Sequence, residues 1–177
     1  MSDVLERLEG GVLHLTLNRP EVRNAMSPAM VSGLRAAFAQ AREAGDVRAV
    51  VLRGAGGHFC AGADLKAMVS QPRDFDSMAA ANASFGEMCA EFAALPMATV
   101  AVVEGTVMGG GFGLACVADL GVAGTSAVFR LPETAIGVVP AQIAAYLVER
   151  LGYSEAKRLA VSGGKVDAQA ALAIRLV

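Results

Sequence analysis

Apolar and polar positions alternate from Val4 to Glu9 and again from Val12 to Asn18, with Gly10-Gly11 between the two runs. That spacing predicts a β-hairpin. The period then changes. Met30, Leu34, Ala37, Phe38 and Ala41 recur at helical intervals behind Ser27-Pro28, which predicts an amphipathic helix over 28–44 with Ser27 as N-cap and a stop near Gly45. Ala49 to Leu52 is a continuous apolar run, as expected of a buried parallel strand. Strand, helix, strand in this order predicts an α/β arrangement with right-handed crossovers.

Downstream, Phe75 to Leu95 reads as a helix whose apolar side holds Met78, Phe85, Met88, Cys89 and Phe92, and Pro96 stops it. Val100 to Val103 reads as a strand. It leads through Gly105 to the triplet Gly109-Gly110-Gly111 and a helix-compatible segment, Phe112 to Ala118. Leu120 to Ala123 and Ala127 to Arg130 are predicted strands, and Leu131 to Pro140 a proline-bounded loop. Ala141 to Leu151 and Ser154 to Val161 follow as helices, and Asp167 caps a last short one.

The chain has 177 residues, 54% of them hydrophobic, which is enough for one domain with a large core. A net charge of −2 without a basic block argues against nucleic acid and anionic membranes as partners. The absence of Trp and only 5% aromatics argue against a stacking platform for bases. Three widely spaced cysteines, Cys60, Cys89 and Cys116, form neither a disulfide framework nor a zinc motif and suit a reducing, cytoplasmic setting. No signal-peptide core is visible at the N-terminus, and no apolar run reaches bilayer-spanning length.

Two stretches carry the candidate chemistry. In each, a strand runs into small residues that precede a helix: Gly54 to Lys66, and Thr99 to Asp119. Glycine lets a ligand approach the backbone, and such corners aim free N–H groups at an anion. The alternative use is a tight packed turn. Neither corner has the Gly-Lys-Ser/Thr ending of a phosphate loop, and Gly-Gly-Gly-Phe-Gly does not match a dinucleotide fingerprint. Glu133, alone among apolar neighbours, suits acid–base work if it is buried, or is simply a solvent-facing loop residue. Cys60 with His58 is a possible thiolate–imidazole pair, but no Asp or Asn is evident to orient it. His14 reads as a packed or surface strand residue. Two histidines far apart and no carboxylate cluster give no metal site.

Leu15-Thr-Leu-Asn-Arg-Pro20 with Asn24-Ala25, His58-Phe-Cys-Ala-Gly-Ala-Asp-Leu-Lys66, Gly105 to Asp119, and Pro132-Glu133 with Gly137 and Pro140 together resemble the enoyl-CoA hydratase/isomerase (crotonase) family. The resemblance covers essentially the whole chain. It implies one α/β domain over 1–177, a crotonase-like spiral of ββα units assembled as a homotrimer or dimer of trimers. It further implies an acyl-CoA substrate and no cofactor beyond it. Two backbone N–H groups, of Ala63 and Gly110, would polarise the thioester carbonyl and stabilise an enolate. Ala61, Asp64, Leu65 and Lys66 would line the coenzyme A site, and Arg23 would meet its phosphates.

The chain departs from that family pattern twice. Hydratases of the best-known type use two glutamates; the second matches Glu133, while Gly113 stands where the first would fall. One base suits either hydration of a 2-enoyl-CoA, with the water held otherwise, or double-bond isomerisation. The stretch Val139-Pro-Ala-Gln-Ile-Ala is similar to hydratases of branched glutaconyl-type esters. Family members also continue into a C-terminal helical segment over the acyl site, largely absent from this sequence, which stops at Val177; either the sequence is truncated or the protein lacks that lid, and an uncovered site would be wetter, with a weakened oxyanion hole. A third reading is a catalytically impaired coenzyme-A-binding member.

Overall fold

The computed structural model describes residues 2–64 and 75–177. The predicted hairpin forms as β1 (Val4–Glu9) and β2 (Val12–Leu17), antiparallel. Next come α1 (Pro28–Glu43), β3 (Ala49–Gly54) and α2 (Phe75–Ala93). Strands β4 (Ala98–Val103) and β5 (Thr106–Met108) precede α3 (Gly110–Val117). Strands β6 (Leu120–Ala123) and β7 (Val128–Arg130) follow, then a 3-10 turn, Glu133–Ile136. The last elements are α4 (Ala144–Leu151), α5 (Tyr153–Ser162), β8 (Lys165–Asp167) and α6 (Ala168–Ala173).

The strands make a five-stranded sheet ordered β1-β2-β3-β4-β6 and a three-stranded sheet ordered β5-β7-β8. Every pairing in the larger sheet beyond the hairpin is parallel. The repeat is visible in this order. Each turn of chain gives one strand to the larger sheet, one to the smaller, and then a helix: β4–β5–α3, then β6–β7–α4. The turn β3–α2 does the same in reduced form, since Cys60 forms a single parallel bridge to Val107 of β5.

Alternation sets the faces of the larger sheet. Leu13, Leu15 and Leu17 of β2, Val50 and Leu52 of β3, and Ala101 and Val103 of β4 are buried in one core with Met30, Leu34 and Phe38 of α1 and Met88 and Phe92 of α2. Phe38 and Phe92 stack at 4.9 Å, and Arg35 ties the two helices together through Glu91 at 2.7 Å and Glu87 at 2.9 Å. Local signals set the helix starts: Ser27 accepts from Met30 N–H at 3.0 Å, and Asp167 from Ala170 N–H at 2.8 Å.

Two helix starts and two short strands differ most from the reading of the sequence. Helix α3 begins at Gly110 rather than Phe112, and its first turn packs closely, Gly110 against Phe85 and Gly111 against Cys60. Residues 141–143 are a turn, and the helix starts only at Ala144. Strands β5 and β8 were not predicted as separate elements; three residues carry no readable period, and only non-local pairing holds them. The helix-forming stretch 65–69 lies outside the described residues. No helix among the described residues is long and apolar enough to cross a membrane.

Candidate active site

The two glycine-rich corners meet. Segment 60–64 runs beside the β5–α3 corner, and the contact at Gly62 is so close that an added Cβ would lie 2.9 Å from Met108 O and 3.5 Å from Gly110 N. Gly62 has φ +85°, a conformation only glycine holds without strain. On its other side the segment bridges in parallel to Met26: Met26 N–H donates to Gly62 O at 2.8 Å, and Asp64 N–H to Met26 O at 3.3 Å. A parallel bridge uses the residues flanking its centre, so the N–H of Ala63 itself faces away from Met26.

Gly109 turns the chain into α3 with φ +52° and ψ −121°. Its N–H is held by Arg130 O at 3.0 Å at the end of β7, and its C=O takes the first helical bond, from Gly113 N–H at 3.0 Å. No side chain caps this helix. The N–H groups of Gly110, Gly111 and Phe112 are therefore the orphan donors of a helix N-terminus, at its positive end. Gly110 and Ala63 lie on the two adjoining strips of backbone.

The same end of β7 delivers the acid–base candidate. Three residues after Arg130, Glu133 opens the 3-10 turn, and a Cβ on Gly109 would lie 3.0 Å from Glu133 Oε1. Glu133 is half-buried, and its Oε2 is buried with no hydrogen-bond partner among the described residues. Burial raises its pKa above the ordinary carboxylate value, opposed in part by a bond from its own backbone N–H. A carboxylate with one unsatisfied buried oxygen, beside helix donors, is equipped to take up and return a proton. Phe85 of α2 lies against Gly110 and gives the site an apolar side.

Position 113 is closed by packing. A Cβ there would fall 2.0 Å from Ile143 Cγ2 and 2.5 Å from Ile143 Cβ. The slot one turn below Gly109 is thus filled by a buried isoleucine, and Glu133 has no second carboxylate opposite it at this position.

The other sequence candidates divide. Arg23 is exposed in a left-handed turn (φ +53°), and its C=O accepts from Ala61 N–H at 3.0 Å. The Asp64 carboxylate pairs with Arg19 at 3.0 Å. Leu65 and Lys66 lie outside the described residues. His58 and Cys60 do structural work. His58 Nδ1 accepts from Thr106 N–H at 3.1 Å, and Cys60 Sγ from Gly62 N–H at 3.4 Å. Burial pushes the Cys60 thiol up to about 12, which removes thiolate character at neutral pH. Sequence reasoning quoted Arg19 and Asn24 only as part of a family-like motif and gave them no role; their polar contacts hold the segment bearing Ala63.

Comparison with known proteins gives this geometry a context. The sequence model described as "Enoyl-CoA hydratase/isomerase" matches residues 7–177. "Enoyl-CoA hydratase domain-containing protein 2, mitochondrial" of Mus musculus is 38% identical over 169 residues, covering 94% of this chain and 56% of that protein. "3-hydroxyisobutyryl-CoA hydrolase 1" of Arabidopsis thaliana is 34% identical over 177 residues, 99% of this chain and 47% of that one. A crystal structure of an enoyl-CoA hydratase/isomerase from Marinobacter aquaeolei superposes with a TM-score of 0.94 at 45% identity, covering 100% of this chain and 69% of the other. The chain spans about half the length of these curated relatives.

Proposed function

Because the chain belongs to the enoyl-CoA hydratase/isomerase family, we propose that it is an enoyl-CoA hydratase-like lyase that adds water to a 2-enoyl-CoA, with Glu133 as its single carboxylate. The observation that carries this reading is the buried, unpartnered Glu133 oxygen beside the start of α3. The N–H groups of Ala63 and Gly110 would donate to the thioester oxygen. Glu133 takes a proton from water as the hydroxyl oxygen bonds to C3, and the double-bond electrons move to the thioester as an enolate. The same proton passes from Glu133 to C2, and the carboxylate is restored. Two aligned donors in a site of reduced polarity supply on the order of 3–4 kcal/mol each to the enolate-like transition state.

The main chain of Ala61 to Asp64, with Leu65 and Lys66, would receive the adenine end of coenzyme A, and Arg23 its phosphates. No group beyond the substrate is called for, and assembly as a homotrimer or dimer of trimers belongs to the same reading. The stretch Val139-Pro-Ala-Gln-Ile-Ala supports a branched, glutaconyl-type acyl group, whose own carboxylate would hold the water.

The packing of Ile143 against Gly113 favours a second reading, double-bond isomerisation. There Glu133 removes a proton from C2 of a 3-enoyl-CoA and returns it to C4 of the dienolate, with no water consumed. Absorbance separates the two. Loss of the conjugated enoyl band from crotonyl-CoA or 3-methylglutaconyl-CoA supports hydration, and appearance of that band from a 3-enoyl-CoA supports isomerisation. Neither change with wild type, or the same change with Glu133→Gln, overturns a catalytic role for Glu133.

A further inference from the structure

We propose that Arg19, Asp64 and Asn24 form a polar clamp that positions the Ala63 N–H, so that the Asp64 carboxylate works through Arg19 rather than on the coenzyme. This rests on the reading of Ala63 as an oxyanion donor.

The strap 19–26 between β2 and α1 grips segment 55–64 on both sides of Ala63. Arg19 donates from its guanidinium to two acceptors, Ala25 O at 2.7 Å and Asp64 Oδ2 at 3.0 Å, and forms an ion pair with Asp3 Oδ2 at 3.7 Å. Asn24 is fully buried, at φ +56°, and its side-chain amide is fully used. Its Oδ1 accepts from Arg19 N–H at 2.8 Å, while Nδ2 donates to Ala55 O at 2.9 Å and His58 O at 2.7 Å. The backbone adds Ala61 N–H to Arg23 O at 3.0 Å and Met26 N–H to Gly62 O at 2.8 Å.

Each flank of Ala63 is therefore pinned, Gly62 through its carbonyl and Asp64 through both backbone and side chain. Ala63 itself is exposed and held by neither. The Arg19–Asp64 pair is mostly withdrawn from solvent, with side-chain exposures of 20% and 13%. A shielded, hydrogen-bonded pair of that kind holds geometry better than a surface pair. A donor that must meet an oxygen at about 2.7–3.1 Å is sensitive to small displacements of its segment. Breaking the pair should move the donor while leaving the rest of the binding surface in place.

The test uses a saturated acyl-CoA, butyryl-CoA, which has no double bond to hydrate. Its thioester carbonyl stretch is read by isotope-edited infrared difference spectroscopy on the full chain. Binding to wild type should lower that frequency, as hydrogen bonds weaken the C=O bond. Asp64→Asn and Arg19→Gln should lose at least about half of the downshift while Kd changes less than about threefold, and Arg19→Lys should restore part of it. A full downshift in the folded variants, or lost affinity with the downshift intact, overturns the clamp; the second result makes Asp64 a coenzyme ligand. No downshift in wild type overturns the oxyanion reading instead. Amide hydrogen exchange at Ala61 and Met26, whose N–H groups tie segment 60–64 to the strap through Arg23 O and Gly62 O, needs no ligand and still decides the clamp. Acceleration of about tenfold or more in both variants supports it, and unchanged exchange overturns it. If the neutral variants do not fold, Asp64→Glu takes their place in every measurement.

Discussion

The contact between Gly113 and Ile143 offers a sharp test of the packing around the site. In Gly113→Ala the new methyl would be placed 2.0 Å from Ile143 Cγ2. Carbon–carbon contacts settle at about 3.5–4.0 Å, so one partner must move by roughly 1.5–2 Å. Ile143 cannot yield by swinging a flexible tip, because its Cβ is only 2.5 Å from the same point and its side chain is 2% exposed. Helix propensity pulls the other way: alanine is favoured over glycine in a helix interior by about 1 kcal/mol. Overpacking typically costs about 1–3 kcal/mol, and this overlap belongs at the upper end, so the variant should be destabilised by about 1–2 kcal/mol net. Ile143→Ala alone should cost about 2–5 kcal/mol through lost burial and a cavity. The double variant places the new methyl in that cavity, so its loss should fall short of the sum by at least about 1 kcal/mol. Urea unfolding of the four proteins, with matching m-values, closes the cycle. If Gly113→Ala is as stable as wild type, or the two losses simply add, position 113 is not closed by Ile143.

Glu133→Gln should change stability in a pH-dependent way. Burial raises the folded pKa above the unfolded one, so wild type has its full stability below the unfolded value and loses it as pH rises through the folded value. The glutamine variant lacks that loss, and its relative stability in urea melts should grow from acid to neutral pH; a constant difference would contradict this. Gly109→Ala should lose about 1–3 kcal/mol, because φ +52° with ψ −121° is a glycine conformation. Its turnover should fall further than its affinity for acyl-CoA, since the methyl also meets Glu133 Oε1 at 3.0 Å. Cys60, Cys89 and Cys116 are buried, with thiols pushed up to about 12, so iodoacetamide at pH 8 should label the native protein only as fast as it unfolds.

What could be read in the sequence was local or periodic. The hairpin, the Ser27 and Asp167 caps and the glycine corners each depend on neighbours within a few residues. Glu133 was legible as a carboxylate among apolar residues, and its environment bears out a raised pKa. What stayed hidden was set by distance. The Arg19–Asp64 pair joins residues 45 positions apart, and nothing near Gly113 announces Ile143. Asn24 looks like an ordinary loop polar residue until its amide is seen tying Arg19, Ala55 and His58 together. The proximity of His58 and Cys60 in sequence suggested a pair, but each is committed to a different backbone N–H.

The central claim is that Glu133 moves a proton at the carbon next to a thioester whose oxygen rests on the Ala63 and Gly110 N–H groups. Proton washout from C2 of butyryl-CoA in D2O, followed by NMR with wild type and Glu133→Gln, tests it without assuming hydration or isomerisation. Wild type should place deuterium at C2, and the variant should exchange only at the uncatalysed rate. Equal incorporation by both proteins, or none above background with wild type while butyryl-CoA is bound, would contradict it.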